Sequence, residues 1–518
     1  MDKQGNEVGC QIMPFVQVIL LYHEIHNCVS RYNHQYLHYF NPKHMKTKFY
    51  YNIHFLIPVL KPAGLVLMVF FASCFFISAM GQPQDGRKNN SPSSETFPKL
   101  IFAKIPGAPK LSDPQLLMGR TEPLISEGMG WAAPAIYDWN GDGKKDLLIG
   151  EFGSGLENKE RAVGNFVRVY QNTGTDKDPK FSDYFEYVRP NRFAGSGTPL
   201  SIFTWCCLGF TPQIVDLNDD GYKDIVTGQY EQGEVTCFWG SEEGFSSGEK
   251  LPQEGNPGGK KDSNLPLTDV NSWEYWSYSA VSFGDFDGDD DFDMVVGGSA
   301  LRLSENTGSK TTPKFAYREF LLDTEGKPLR VYNPSAEELG KIKGYLEKYP
   351  AGVANAVPHV VDWDNDGVLD LLVTNGYFSK GSHAVTFFRG VKTSEGYCCE
   401  KGIPLFTAKE GDKAFPGSWL RVFVTDWNND GVNDLLIGTS VATTNGGQFN
   451  HKLSWAWEHD TNIAKENPGL MSPDRVEAER TGNPDSEGRR HRISEYLKEG
   501  GDPTLVHRGY VYLMLGKK

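Results

Sequence analysis

The chain has 518 residues, 39% of them hydrophobic and 23% charged, a balance that supports a sizeable core and excludes wholesale disorder. Its 56 Gly, 30 Pro and 13% aromatic residues point to many turns and flat contacts, an all-β composition more than a helical one. A net charge of −14, from 52 bases and 66 acids, argues against a phosphate-binding surface, so no nucleic-acid partner is expected.

The N-terminal residues 1–81 invert that charge, with Lys3, Arg31, Lys43, Lys46, Lys48 and Lys61 against only Asp2, Glu7 and Glu24. From Met45, the better start, Lys46, Lys48 and Lys61 precede an apolar run from Ala63 to Met80. Ala79-Met80-Gly81 then forms an A-x-A-like cleavage site, so the segment reads as a secretory signal. Export to the periplasm, cell surface or exterior is expected. The run is 18 residues long and fits a cleaved signal or an uncleaved anchor, and only an anchor would bring a membrane in as partner. Residues 82–97 read as a polar linker. Beyond residue 81 the chain holds 46 bases and 63 acids, a net −17. Its Cys206, Cys207, Cys237, Cys398 and Cys399 fit buried thiols or, in an oxidising compartment, disulfides.

One pattern, D-x-[DN]-x-D-G-x-x-D followed by a short apolar run, recurs five times. The copies are Asp138, Asn140, Asp142, Asp146; Asp216, Asn218, Asp220, Asp224; Asp285, Asp287, Asp289, Asp293; Asp362, Asp364, Asp366, Asp370; and Asp426, Asn428, Asp430, Asp434. Alternate residues of a tight loop can aim oxygens at one point, and Ca²⁺ takes six to eight oxygens at about 2.3–2.6 Å. Positions 1, 3, 5 and 9 supply side chains. The backbone carbonyl at position 7 (Lys144, Tyr222, Asp291, Val368 and Val432) can supply another oxygen. Position 6 is Gly in four copies, as a sharp left-handed turn prefers, and Asp290 in the third. Up to five bound Ca²⁺ are expected. An EF-hand would need a bidentate Glu at position 12, where Ile149, Thr227, Val296, Val373 and Ile437 stand inside β-rich runs. Each loop therefore joins two strands, and a cation there would pin the turn.

On these residues the sequence resembles the FG-GAP/VCBS repeat family, the calcium-loop repeats also found in integrin α-subunit heads, over roughly residues 98–518. The resemblance implies a β-propeller with one such loop between the first two strands of each blade, and Ca²⁺ held by the Asp and Asn side chains above. Asp290 is the one clear departure and bears on the affinity of the third site.

After each loop and second strand comes a third strand ending in a turn, as at Phe166–Tyr170, Glu234–Trp239, Leu301–Leu303 and Ala384–Phe388. A fourth opens with Pro and reaches Phe, at Pro179–Phe181, Pro313–Phe315 and Pro404–Phe406. The last repeat gains its third strand at Gly509–Leu515 and lacks a fourth. Pro98–Phe102 has that fourth-strand pattern with no blade before it, so an N-terminal strand is expected to close the ring on the C-terminal blade. Five blades follow. A seven-bladed alternative needs two blades without the motif, and only the stretch from 441 to 508 is long enough to hide one.

Short helical insertions are expected from the capping box Ser335-Ala-Glu-Glu338 to about Tyr349, and over Arg489 to Glu499. Trp131, Trp205, Trp273, Trp276 and Trp419 each precede a repeat's first Asp by 7 to 12 residues. They fit inter-blade packing or a platform for sugar rings. Trp139, Trp363 and Trp427, inside the loops, read as packing. Gly244-Phe-Ser246-Ser-Gly248 has nucleophile-elbow spacing in a turn context with no helix to complete it. No catalytic residue is assigned. The favoured function is a calcium-binding binding or adhesion module for a glycan or a surface protein. The alternative is a polysaccharide-active lyase or hydrolase on the aromatic face.

Overall fold

A computed structural model describes residues 97–126, 130–152, 165–191, 198–202, 208–230, 233–341, 344–375, 383–394, 396–409, 413–444 and 505–518. The signal, the linker up to residue 96, Trp205, Cys206, Cys207 and the stretch Arg489 to Glu499 lie outside them. Among the described residues no helix is long and apolar enough to cross a membrane.

Strand propensity and loop position together set the architecture. Each metal-type loop is followed by a run of apolar residues that is buried on both faces, and each run is the second strand of an antiparallel sheet. Blade 1 orders Ala133–Tyr137, Asp146–Gly150, Val167–Tyr170 and Glu186–Tyr187. Blade 2 is Gln213–Val215, Asp224–Gly228, Val235–Phe238 and Glu249–Lys250. Blade 3 is Val281–Gly284, Asp293–Val296, Arg302–Ser304 and Glu319–Phe320. Blade 4 is Ala356–Val361, Asp370–Asn375, Val385–Phe388 and Ile403–Pro404. Blade 5 takes Ser418–Thr425, Asp434–Thr444 and Leu505–Met514 from the C-terminal part of the chain. The first-to-second-strand register is the same in all five, with the ninth-position Asp opposite Tyr137, Val215, Gly284, Val361 or Thr425.

An N-terminal strand does complete blade 5, but not the segment expected. Gln115–Leu116 pairs with Tyr512 and Leu513, and Ile125–Ser126 with Gly509 and Tyr510, of Leu505–Met514. Ile101–Phe102 instead pairs with Phe406–Thr407 beside blade 4. Aromatic packing explains that choice: Phe102 lies on Phe406, and Phe97 packs edge-on against Phe415 and Tyr512. The Pro-to-Phe signature also sits slightly earlier than the fourth strand. Phe181 and Phe315 bridge Asn172 and Asn306, and the paired residues follow at 186–187 and 319–320. The helix expected from Ser335 is split into Ala336–Lys341 and Tyr345–Lys348, with Gly344 left-handed between them at φ 68°. An unforeseen one-turn helix, Trp273–Trp276, is capped by the Ser272 side chain.

A single repeated contact joins the blades. The residue four past each ninth-position Asp faces a backbone carbonyl at or near the start of the next blade. At Gly150, Gly228, Gly297 and Gly438 an added Cβ would come 1.9, 1.5, 2.0 and 1.9 Å from the carbonyl oxygens of Phe210, Ser279, Ala356 and Ala132. In blade 4 this position is Thr374, and its hydroxyl donates to the Leu420 carbonyl at 2.7 Å. Followed round, these contacts run from blade 1 through blade 5 and back to blade 1, so the ring closes at five and the seven-bladed alternative falls. Blades 4 and 5 share a further bond, from the Val424 N–H to Nε2 of buried His359 at 3.0 Å. Burial pulls the His359 pKa down to about 4, which keeps the ring neutral and able to accept.

The blade contact makes a direct prediction. Gly228→Ala places a methyl against backbone that cannot move aside, so its cost is expected at about 3 kcal/mol or more, above ordinary overpacking. Gly326→Ala, where nothing lies within 4 Å, costs about 1–2 kcal/mol from its left-handed backbone alone. Urea unfolding of both variants checks the difference.

Candidate metal centres

Every loop is built the same way. Its second residue (Trp139, Leu217, Phe286, Trp363 or Trp427) is buried in the core between blades and anchors the turn. This confirms the packing role read for the three tryptophans. The first Asp accepts from the position-6 N–H at 2.9–3.2 Å in all five copies. It also accepts from the position-5 N–H in four, whereas Asp285 takes the Gly288 N–H instead. The position-5 carboxylate accepts from the position-7 N–H of Lys144, Tyr222, Asp291, Val368 and Val432 at 2.9–3.1 Å.

Position 6 is left-handed throughout, and Asp290 fits at φ 73° alongside Gly143, Gly221, Gly367 and Gly431. Position 4 is left-handed too, a feature the sequence reading missed. Gly141, Asp219, Gly288, Asn365 and Asn429 stand there, all residues that tolerate this conformation. Their recurrence was a usable signal.

The ninth residue has a distinct task. Asp146, Asp224, Asp293, Asp370 and Asp434 are buried, and each uses both carboxylate oxygens on backbone. One oxygen accepts from the position-2 N–H at 2.7–3.0 Å. The other accepts at 2.6–2.8 Å from the N–H of Asn172, Gly240, Asn306, Gly390 or Gly516, two residues past the third strand. Burial pushes the carboxyls of Asp224, Asp293 and Asp370 up to about 6, against the downward pull of these N–H groups. Burial raises Asp146 and Asp434 as well.

The remaining oxygens suit a hard cation. Those of Asp285, Asp287 and Asp289, and those of Asp362, Asp364 and Asp366, lie within 4.8 Å of one another. Asn218 Oδ1, Asp291 Oδ1 and Asp364 Oδ1 are buried and accept no hydrogen bond from the described residues. A divalent ion would satisfy such orphaned oxygens, and the donor set is all oxygen. Side-chain cations lean on two loops. Lys144 Nζ is 2.7 Å from Asp142 Oδ2, and Arg389 Nη2 is 2.5 Å from Asp364 Oδ2, an ion pair without hydrogen-bond alignment. Other bonds link neighbouring loops. Lys145 Nζ reaches the Asp426 carbonyl and Asn429 Oδ1, Asn433 Nδ2 donates to the Asp362 carbonyl, and Lys310 lies between Asp219 and Asp290.

The other singled-out residues separate clearly. Trp131 and Trp276 are buried, as packing requires, while Trp273 and Trp419 keep part of their surface exposed. Trp419 stacks on Trp131 with ring centroids 3.7 Å apart, and the Arg421 guanidinium lies 5.7 Å from the Trp131 ring centroid. Arg421 is buried and its Nη2 has no hydrogen-bond partner among the described residues. These residues precede or open the first strands, so they lie at the end of the blades opposite the loops. Ser246 accepts from the Trp239 N–H in a hairpin turn, an ordinary structural role. Cys237, Cys398 and Cys399 are free thiols, and burial pushes Cys399 up to about 12.

No family model and no curated protein matches the chain. Among solved structures it is similar to a glycosyl hydrolase from Bacteroides ovatus, at 12% identity and TM-score 0.31 over 66% of this chain and 90% of that one. It is also similar to a subtype N11 neuraminidase-like protein of a flat-faced bat H18N11 isolate, at 10% identity and TM-score 0.31 over 67% and 92%. At these values neither likeness bears on activity.

The two kinds of carboxylate are separable by mutation. In EDTA, Asp370→Ala is expected to cost about 2–6 kcal/mol, because two buried N–H groups lose their acceptor at roughly 1–3 kcal/mol each. Asp366→Ala, at a more exposed position, costs under about 1 kcal/mol in EDTA and instead removes stabilisation gained on adding calcium. Urea unfolding with and without calcium measures both.

Proposed function

We propose that the protein is an exported, calcium-stabilised propeller of the FG-GAP/VCBS type that serves as a binding or adhesion module for a glycan or a surface protein. Up to five Ca²⁺ would occupy the loops and stiffen one end of the ring. The calcium part rests on the repeated oxygen sets, above all the clustered carboxylates of Asp362, Asp364 and Asp366 with the buried, unpartnered Oδ1 of Asp364. The binding part is carried by one observation. At the end opposite the loops, part-exposed Trp419 stacks on Trp131, and the Arg421 guanidinium lies beside this pair. The exposed part of the Trp419 ring suits stacking against a sugar ring. Export rests on the basic-then-apolar run from Met45 to Met80.

Retention and turnover can be read in one assay. A panel of immobilised and soluble glycans, offered with calcium and with EDTA, is expected to show retention without released product, weaker in EDTA. Trp419→Asn, chosen because Trp419 sits at φ 58° where Asn is tolerated, should lower retention roughly tenfold. Released oligosaccharide would replace this reading with that of a polysaccharide-active enzyme. Neither retention nor product would leave a protein partner.

A further inference from the structure

The N-terminal residues 101–111 form an arm across the loop of blade 4. Its start is held by the Ile101–Phe102 pairing with Phe406–Thr407, and its end by reciprocal backbone bonds between Lys110 and Lys517 at 2.8 and 2.9 Å. Between these anchors Gly107, at φ 84°, passes so close to blade 4 that an added Cβ would lie 1.9 Å from the Asp364 carbonyl oxygen. The arm roofs a cavity of about 510 Å³. Its walls include Phe102, Ile105, Pro106, Leu111, Trp363 and Leu405, an apolar lining at the size typical of small-molecule pockets.

Two basic residues break that apolar lining. Lys104 and Lys110 line the cavity, are exposed, and form no ion pair with a described residue. In a chain of net charge −14, two unpaired lysines at an apolar cavity make a local positive site.

We propose that this cavity binds a small amphiphilic carboxylate, with its apolar body between the arm and blade 4 and its carboxylate at Lys104 and Lys110. Sugar hydroxyls would find few partners on these walls, so the site is separate from the glycan surface proposed above and independent of it. The arm is also the roof of the site, so occupancy would fasten the N-terminal segment to blade 4.

Displacement of 1-anilinonaphthalene-8-sulfonate from the full chain tests this, using decanoate and the uncharged decan-1-ol in calcium and in EDTA. Decanoate is expected to displace the dye at a single site, roughly tenfold more strongly than decan-1-ol. The double variant Lys104→Glu, Lys110→Glu should weaken decanoate by roughly tenfold or more and leave decan-1-ol unchanged. Ala108→Trp, which fills the cavity, should abolish displacement by both. Equal binding of acid and alcohol, no displacement, or decanoate binding untouched by charge reversal would each overturn the proposal. If Ala108→Trp fails to fold, the charge-reversal variant decides alone.

Discussion

In each blade one buried carboxylate holds three stretches of backbone together. The ninth-position Asp begins the second strand, caps the start of the loop through the position-2 N–H, and receives a second N–H from just beyond the third strand. The first three strands of every blade are thereby tied at one corner, which also sets where the loop's other oxygens point. Such an arrangement places five carboxylates in low-dielectric surroundings, and their raised pKa values record the cost. Two backbone donors offset part of it, and a cation a few ångströms away would offset more.

Blade-to-blade packing grows out of the same strand. Four residues after that Asp, glycine lets the next blade's carbonyl approach, and blade 4 reaches the same end with the Thr374 hydroxyl. Corner and contact are separated by one short apolar run, so loop geometry and ring geometry cannot vary independently. This is why a departure such as Asp290 can be absorbed. It keeps the left-handed turn, and Lys310 bonds its side chain at 2.9 Å.

Much of this was readable in the chain. The apolar runs after each Asp gave away the second strands, and their regular recurrence implied a ring of five. The net charge was also informative, since 17 loop carboxylates match the −17 of the chain beyond residue 81. The structure sharpens that point, because five of these groups are buried and spend both oxygens on backbone donors. Other features escaped for physical reasons. The closing strands Gln115–Leu116 and Ile125–Ser126 are two residues long and carry no periodicity, whereas Pro98–Phe102 mimics a strand that aromatic packing draws to blade 4. Left-handed position 4 was visible as Gly, Asp or Asn, but only five aligned copies make it meaningful. The cavity at Trp363 joins residues more than 250 positions apart, which no local pattern reveals.

Calcium binding by these loops is the central claim, and the most direct measurement is thermal unfolding of the metal-stripped full chain titrated with calcium, alongside counting of bound metal by mass spectrometry. Calcium, up to five ions per chain, is expected to raise the melting temperature by roughly 5 °C or more over EDTA, because binding to the folded loops adds to folding free energy. Identical melting curves in calcium and EDTA, with no metal retained, would contradict it.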